Sequence, residues 1–258
     1  MYGLKPVPFN NTEKIDRYYY CHMPNGSVRS GERDLRLLIL AATAGSADGW
    51  SYFGLGHAFV ANMTGNTVLL GIAVFQNHGD LLHPALSLGC YAAGAVIGSL
   101  LTGDVPAGAV ESKTISWTLM LEALLLLGAE AGWIAIHLHA SHAPNLNLLL
   151  GTVALAIGIQ SAAMLQVNIL GIVTTYITGT WTTMLTGLVR LVKRGRPPGQ
   201  NPELEERLLM QAAVLTVYFL AAVLAGWLFR HLPLAVGALP GLSLLLVAVL
   251  GFLRPQKP

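Results

Sequence analysis

Two clusters of polar residues stand inside otherwise apolar stretches. The first holds Ser46, Asp48, His57, Asn62, Thr64, Asn66 and Thr67. The second holds Gln160, Ser161, Gln166, Asn168, Thr174, Thr175, Thr178, Thr180 and Trp181. Polar groups at membrane depth are costly and face a bundle interior or a wet cavity. In the run "MTGNT", Thr64 or Asn66 is placed to cap a helix over residues 68–75, and Gly65 lets the backbone turn sharply before it. The first N–H groups of such a helix have no intrahelical partner and carry positive partial charge, a seat for an anionic or strongly polar ligand. "ITGTW" offers a second seat of the same kind. The expected substrate-binding set is therefore Asn62, Thr64, Gly65, Asn66, Thr67, Gln160, Thr174, Thr178, Gly179 and Thr180. Taken singly, each threonine is equally well explained as a helix-packing residue that bonds its own backbone.

Asp48 is the strongest single candidate. An isolated carboxylate in an apolar run must be paired, hydrated or protonated, and each of these states serves proton or cation coupling. Glu122 and Glu130 form a second rank, about two turns apart on one segment and ~80° around it. Glu130 lies within Gly128-x-x-x-Gly132, a pattern that brings helices close. His78, His83, His137, His139 and His142 lack ligand-type spacing, so no metal is expected. No nucleophile elbow, P-loop or dinucleotide fingerprint is present. The chain reads as a non-enzyme without a cofactor.

The elements that must position these residues are helices in lipid. Only 11% of the 258 residues are charged and 53% are hydrophobic, with a mean hydropathy of +0.57. Soluble domains carry about 25% charge. An ~30 Å hydrocarbon core takes about 20 apolar residues per helix. Eight candidate segments appear at 35–53, 57–75, 82–102, 115–138, 148–167, 169–192, 208–229 and 232–253. No alternation of the β-barrel kind is visible, so the class is an all-α polytopic bundle of six to eight membrane segments. The segments at 57–75 and 169–192 follow their predecessors through very short connections and carry the Thr-Gly motifs, which predicts broken or re-entrant helices there.

An offset of 114 residues aligns Thr64-Gly65 with Thr178-Gly179, which points to two internal repeats. The expected organisation is a polar tail at 1–34, a first repeat at 35–138 and a second at 139–258 with a linker at 193–207. All of the 15 Lys and Arg except Lys113 and Arg230 fall in the tail, in or beside the linker, or at the C-terminus. The positive-inside rule then makes both termini cytoplasmic. Loops 76–81 and 140–147 lack Lys and Arg, which favours six crossings and inverted repeats. The net charge of +2 argues for no nucleic-acid partner.

The run "AGSADGWSYFGLGHAFVANMTGNTVLLG" resembles the opening signature of the YoaK-like bacterial membrane proteins, through Gly45, Asp48, Phe59, Met63, Thr64, Gly65, Asn66 and Thr67. "GIQSAAM" and "TTYITGT" resemble the second signature, through Gly158, Gln160, Ala162, Thr174, Thr175, Tyr176, Thr178, Gly179 and Thr180. The resemblance covers residues 35–255. It implies a multi-span inner-membrane protein of a family whose domain has no assigned function and is loosely called permease-like. The functional expectation is a secondary transporter or permease for a small polar or anionic solute, working in the lipid bilayer. The rival expectations are a membrane-embedded interaction or regulatory protein, or a channel. Association with a second copy is left open.

Overall fold

Apolar runs of about 20 residues satisfy every backbone group internally as helix, and that is what the chain does in its computed structural model. The structure describes residues 30–76, 79–103, 105, 112–139, 144–167, 177–193 and 202–252. The tail through residue 29, Thr174 and most of the predicted linker lie outside the described residues. The helices are α1 (Ser30–Gly54), α2 (Met63–Phe75), α3 (Leu82–Thr102), α4 (Lys113–His137), α5 (Leu146–Val167), α6 (Ile177–Lys193), α7 (Pro202–His231) and α8 (Ala238–Phe252). A short 3-10 turn, Pro233–Ala235, precedes α8.

Every predicted segment is helical, with shifted ends. α1 begins at Ser30, inside the predicted tail, because the charged run "SGERD" continues the helix beyond the apolar stretch. α7 begins at Pro202, inside the predicted linker, where proline suits a first helical position. The last segment is split, because Pro233 and Gly237 interrupt it before α8 starts at Ala238. α2 starts at Met63, several residues later than predicted, while residues 169–176 of the sixth predicted segment lie outside the described residues and α6 is described from Ile177.

Close glycine contacts fix the directions of the helices. Cβ atoms added at Gly45 and Gly49 would collide with Tyr218 and Ala222, so α1 and α7 run parallel in close contact. Likewise Gly94 meets Leu155 and Gly98 meets Ile159, which makes α3 and α5 parallel. Ser116 touches Gly251 and Leu127 touches Gly241, so α4 opposes α8. Arg36 at the start of α1 donates to the Leu250 carbonyl at the end of α8 at 3.3 Å. α1, α4 and α7 thus run one way, and α3, α5 and α8 the other.

The broken segments follow from these directions. Gly56, just beyond α1, lies against the His83 ring at the start of α3, so the segment that joins α1 to α3 leaves and returns on the side where α1 emerges. The 13 residues of α2 rise only about 20 Å. The 17-residue α6 packs against the start of α7, with Gly187 on Leu208 and Gln211 donating to Thr183 at 2.9 Å. It runs antiparallel to α7 there. Five helical regions are long and apolar enough by composition to cross a membrane, and α1 is a further helix of 25 residues.

Candidate functional site

The first chain break is organised by one carboxylate. α1 ends at Gly54, where the Leu55 N–H still bonds the Ser51 carbonyl at 2.9 Å. Gly56 (φ +111°) and His57 (φ +56°) then take left-handed conformations and send the chain back into the bundle. Glycine is required at 56 both by its dihedral and by the His83 ring lying against it. The returning segment carries backbone donors that no helix satisfies. Asp48 Oδ1 accepts them: the N–H of Val60 at 2.8 Å, of Ala61 at 2.6 Å and, more weakly, of Asn62 at 3.4 Å. Asp48 Oδ2 accepts the phenol of Tyr218 on α7. The Asp48 side chain is buried, 4% exposed.

Two asparagines finish the turn. Asn62 caps α2, its side-chain oxygen accepting the Gly65 N–H at 3.1 Å. The predicted cap at Thr64 or Asn66 is thus corrected: both lie inside the first turn of α2. Asn66 instead clamps Phe59, accepting its N–H at 2.8 Å and donating to its carbonyl at 2.6 Å. It also donates to Ser87 of α3 at 3.1 Å, and the Ser87 hydroxyl donates to the same Phe59 carbonyl. Thr64 and Thr67 face outward, and Thr67 bonds the Met63 carbonyl of its own helix at 2.9 Å. The anion seat predicted at this helix start is filled, in effect, by the chain's own Asp48, which takes the free donors just ahead of α2.

The other predicted residues separate. Thr180 is buried, whereas Thr178 and Gly179 are exposed. Gln160 on α5 is buried and donates to the Leu40 carbonyl of α1 at 3.3 Å, joining the two halves away from Asp48. Glu130 accepts the Gly237 N–H at 3.1 Å and so satisfies an end donor ahead of α8. Glu122 is fully buried, and neither carboxyl oxygen has a hydrogen-bond partner among the described residues. Outside the membrane, Asp80 is slightly desolvated, but its hydrogen bonds with His83 outweigh this and hold its carboxyl below the usual range.

An open cavity of about 450 Å³ lies between α1 and α7, with Asp48 and Asn62 among its lining residues and Phe53, Phe219 and Val223 exposed at its rim. Its remaining walls include Tyr52, Phe53 and Phe59 from the first half and Tyr218, Phe219 and Val223 from α7. Tyr52 stacks on Phe59, with ring centroids 5.1 Å apart and planes 17° apart. The sequence reading found Asp48 and Asn62 but missed Tyr218, Ser87 and the aromatic walls. Tyr218 stands in "LTVYFLAAV", and its hydroxyl at membrane depth was the one signal available.

The fold and the break together define a polytopic α-helical membrane protein with a broken segment after its first helix. Residues 36–250 match the family described as "Protein of unknown function (DUF1275)", and the chain belongs to that family. It is also similar to the UPF0700 transmembrane protein YoaK of Bacillus subtilis (strain 168), with 30% identity over 154 residues. That match covers 59% of this chain and 66% of the relative, just under two thirds of its length. No solved structure matches.

Proposed function

We propose that the chain is a carrier for a small polar solute, with the Asp48–Tyr218 pair at the centre of its binding region, set in the bacterial inner membrane with both termini cytoplasmic. The observation that supports this reading is geometric. α2 starts beside Asp48, which bonds Tyr218 of α7, and α6 runs antiparallel along the same α7. Asp48 joins the inner end of the first break to Tyr218. The Gln211–Thr183 contact, followed for six residues along both antiparallel helices (about 9 Å), brings Ile177 to the level of Val217. Discontinuous segments that meet near the midplane are the arrangement in which carriers hold solutes. Because Asp48 already takes the donors ahead of α2, an anion has no seat there. The solute is neutral or cationic.

Uptake into proteoliposomes, with a panel of labelled neutral and cationic solutes, tests the proposal. Asp48→Asn should lower flux at least tenfold, and Asn66→Ala should lower it through loss of the Phe59 clamp. Flux unchanged in both variants removes the site. One observation favours a second reading, a membrane protein without transport: four neutral donors surround Asp48 as they would a structural carboxylate. That reading gains if Asp48→Asn destabilises the protein and no solute in the panel moves through the wild type.

A further inference from the structure

The chemistry of the cavity specifies more than its size. Tyr52, Phe53, Phe59, Tyr218 and Phe219 contribute to its walls, and Asp48 contributes the only charge. Among the described residues Asp48 forms no ion pair with a Lys, Arg or His. The donors that surround it are neutral. They spread the carboxylate's charge without cancelling it. Aromatic faces add negative electrostatic potential of their own.

This combination selects against most ligand classes. An anion meets a carboxylate and aromatic faces, both of the wrong sign. A hard metal cation requires six or more oxygen ligands. The walls supply few, and Asp48's oxygens are already engaged with Val60, Ala61 and Tyr218. A weakly hydrated cation with an apolar surface fits both parts: its charge lies near the acid beside the aromatic walls, and its methyl groups replace water against the rings. A volume of about 450 Å³ is in the range of small-molecule pockets. We propose that the cavity between α1 and α7 binds a small quaternary ammonium ion, held by the charge of Asp48 and by the surrounding aromatic rings. The proposal rests on the carrier reading only in taking this cavity as the solute site, and binding tests it separately from flux.

The probe pair is choline and its neutral carbon isostere, 3,3-dimethyl-1-butanol, added to the purified full-length protein in lipid nanodiscs. Choline should raise the melting temperature in a saturable way, and the isostere at equal concentration should not. Asp48→Asn should weaken the choline response at least tenfold. Should Asp48→Asn fail to fold, Val223→Trp decides the matter, because it fills the cavity from an exposed wall position without touching the acid. It should abolish the choline response and leave the ligand-free melting temperature unchanged. Equal stabilisation by the neutral isostere, no stabilisation by choline, or a choline response that survives Val223→Trp overturns the proposal. Choline binding without flux upholds the cation site and removes the carrier; flux of a neutral solute without choline binding does the reverse.

Discussion

Tyr218 touches α1 twice: its backbone lies where a Cβ on Gly45 would be, and its hydroxyl donates to Asp48 one turn further along. Tyr91 of α3 stands in the same relation to Gly158 of α5, with its carbonyl against the glycine. One turn beyond Gly158 the sequence has Ser161 rather than an acid. The two helix pairs therefore share a packing contact, and only the first carries a carboxylate. That asymmetry gives the break before α2 its distinct chemistry.

Removing the phenol tests how much the first contact contributes. Tyr218→Phe keeps the ring and the Gly45 packing but leaves Asp48 Oδ2 without its donor. Loss of a partner to a buried charged group costs about 1–3 kcal/mol. The melting temperature should fall, and the fall should be much smaller in an Asp48→Asn background, where a neutral amide replaces the carboxylate. Additive losses in the double-mutant cycle would show that the two residues act independently.

Glycine substitutions separate close approach from sequence pattern. Gly158→Ala and Gly45→Ala place a methyl on a backbone carbonyl that cannot move without parting two helices. Both should lower the yield and melting temperature of folded protein, with overpacking costs of about 1–3 kcal/mol or more. Gly128→Ala should instead be neutral or stabilising by up to about 1 kcal/mol, because nothing lies within 4 Å of its added Cβ. Of the Gly128-x-x-x-Gly132 pattern, only Gly132 is a contact, meeting Leu149 and Pro144. If Gly128→Ala proves as damaging as Gly158→Ala, the helix directions assigned from these contacts are wrong.

The contrast shows what was legible in the sequence. Hydropathy located every helix, because the length of an apolar run is a one-dimensional property that lipid reads directly. The polar interruption marked the first break, and Asp48 stood out because a carboxylate in such a run demands an explanation. The identity of the partner was not legible. Asp48 could have taken a solute, water or another helix, and the choice of the Val60–Asn62 backbone depends on Gly56 and His57 turning the chain inward. The cap was misplaced for a related reason: Asn62, Thr64 and Asn66 are all good capping residues, and the sequence does not say that Ser87 on α3 draws Asn66 away. Tyr218 lies 170 residues from Asp48, with no local pattern to join them.

A pH effect is expected at the outer end of α3. Asp80's carboxyl is held below its ordinary value near 3.8 by its bonds to His83. A depressed carboxylate contributes stability that is complete above that ordinary value and is lost as pH falls through the lower, folded-state value. Asp80 is substantially exposed, so solvent screening keeps the effect well under about 1 kcal/mol. Melting curves of wild type and Asp80→Asn should differ slightly at neutral pH and converge as pH falls below about 4. A gap that widens on acidification would reverse the assignment.

Glu122 offers the sharpest separation of stability from function. Its side chain is fully buried on α4, and neither carboxyl oxygen has a hydrogen bond among the described residues. A buried polar group left unsatisfied costs about 1–3 kcal/mol, and an apolar residue of similar length removes that cost. Glu122→Met should therefore raise the melting temperature. If Glu122 couples protons to a carrier cycle, the same variant should lose coupled flux, the familiar exchange of activity for stability. Glu122→Gln, which keeps a polar group that cannot titrate, should lose coupling without the gain in stability. A higher melting temperature with undiminished flux would make Glu122 a bystander. A lower melting temperature in Glu122→Met would mean that the carboxyl has a partner in the folded protein, and that its role is to hold α4 in place.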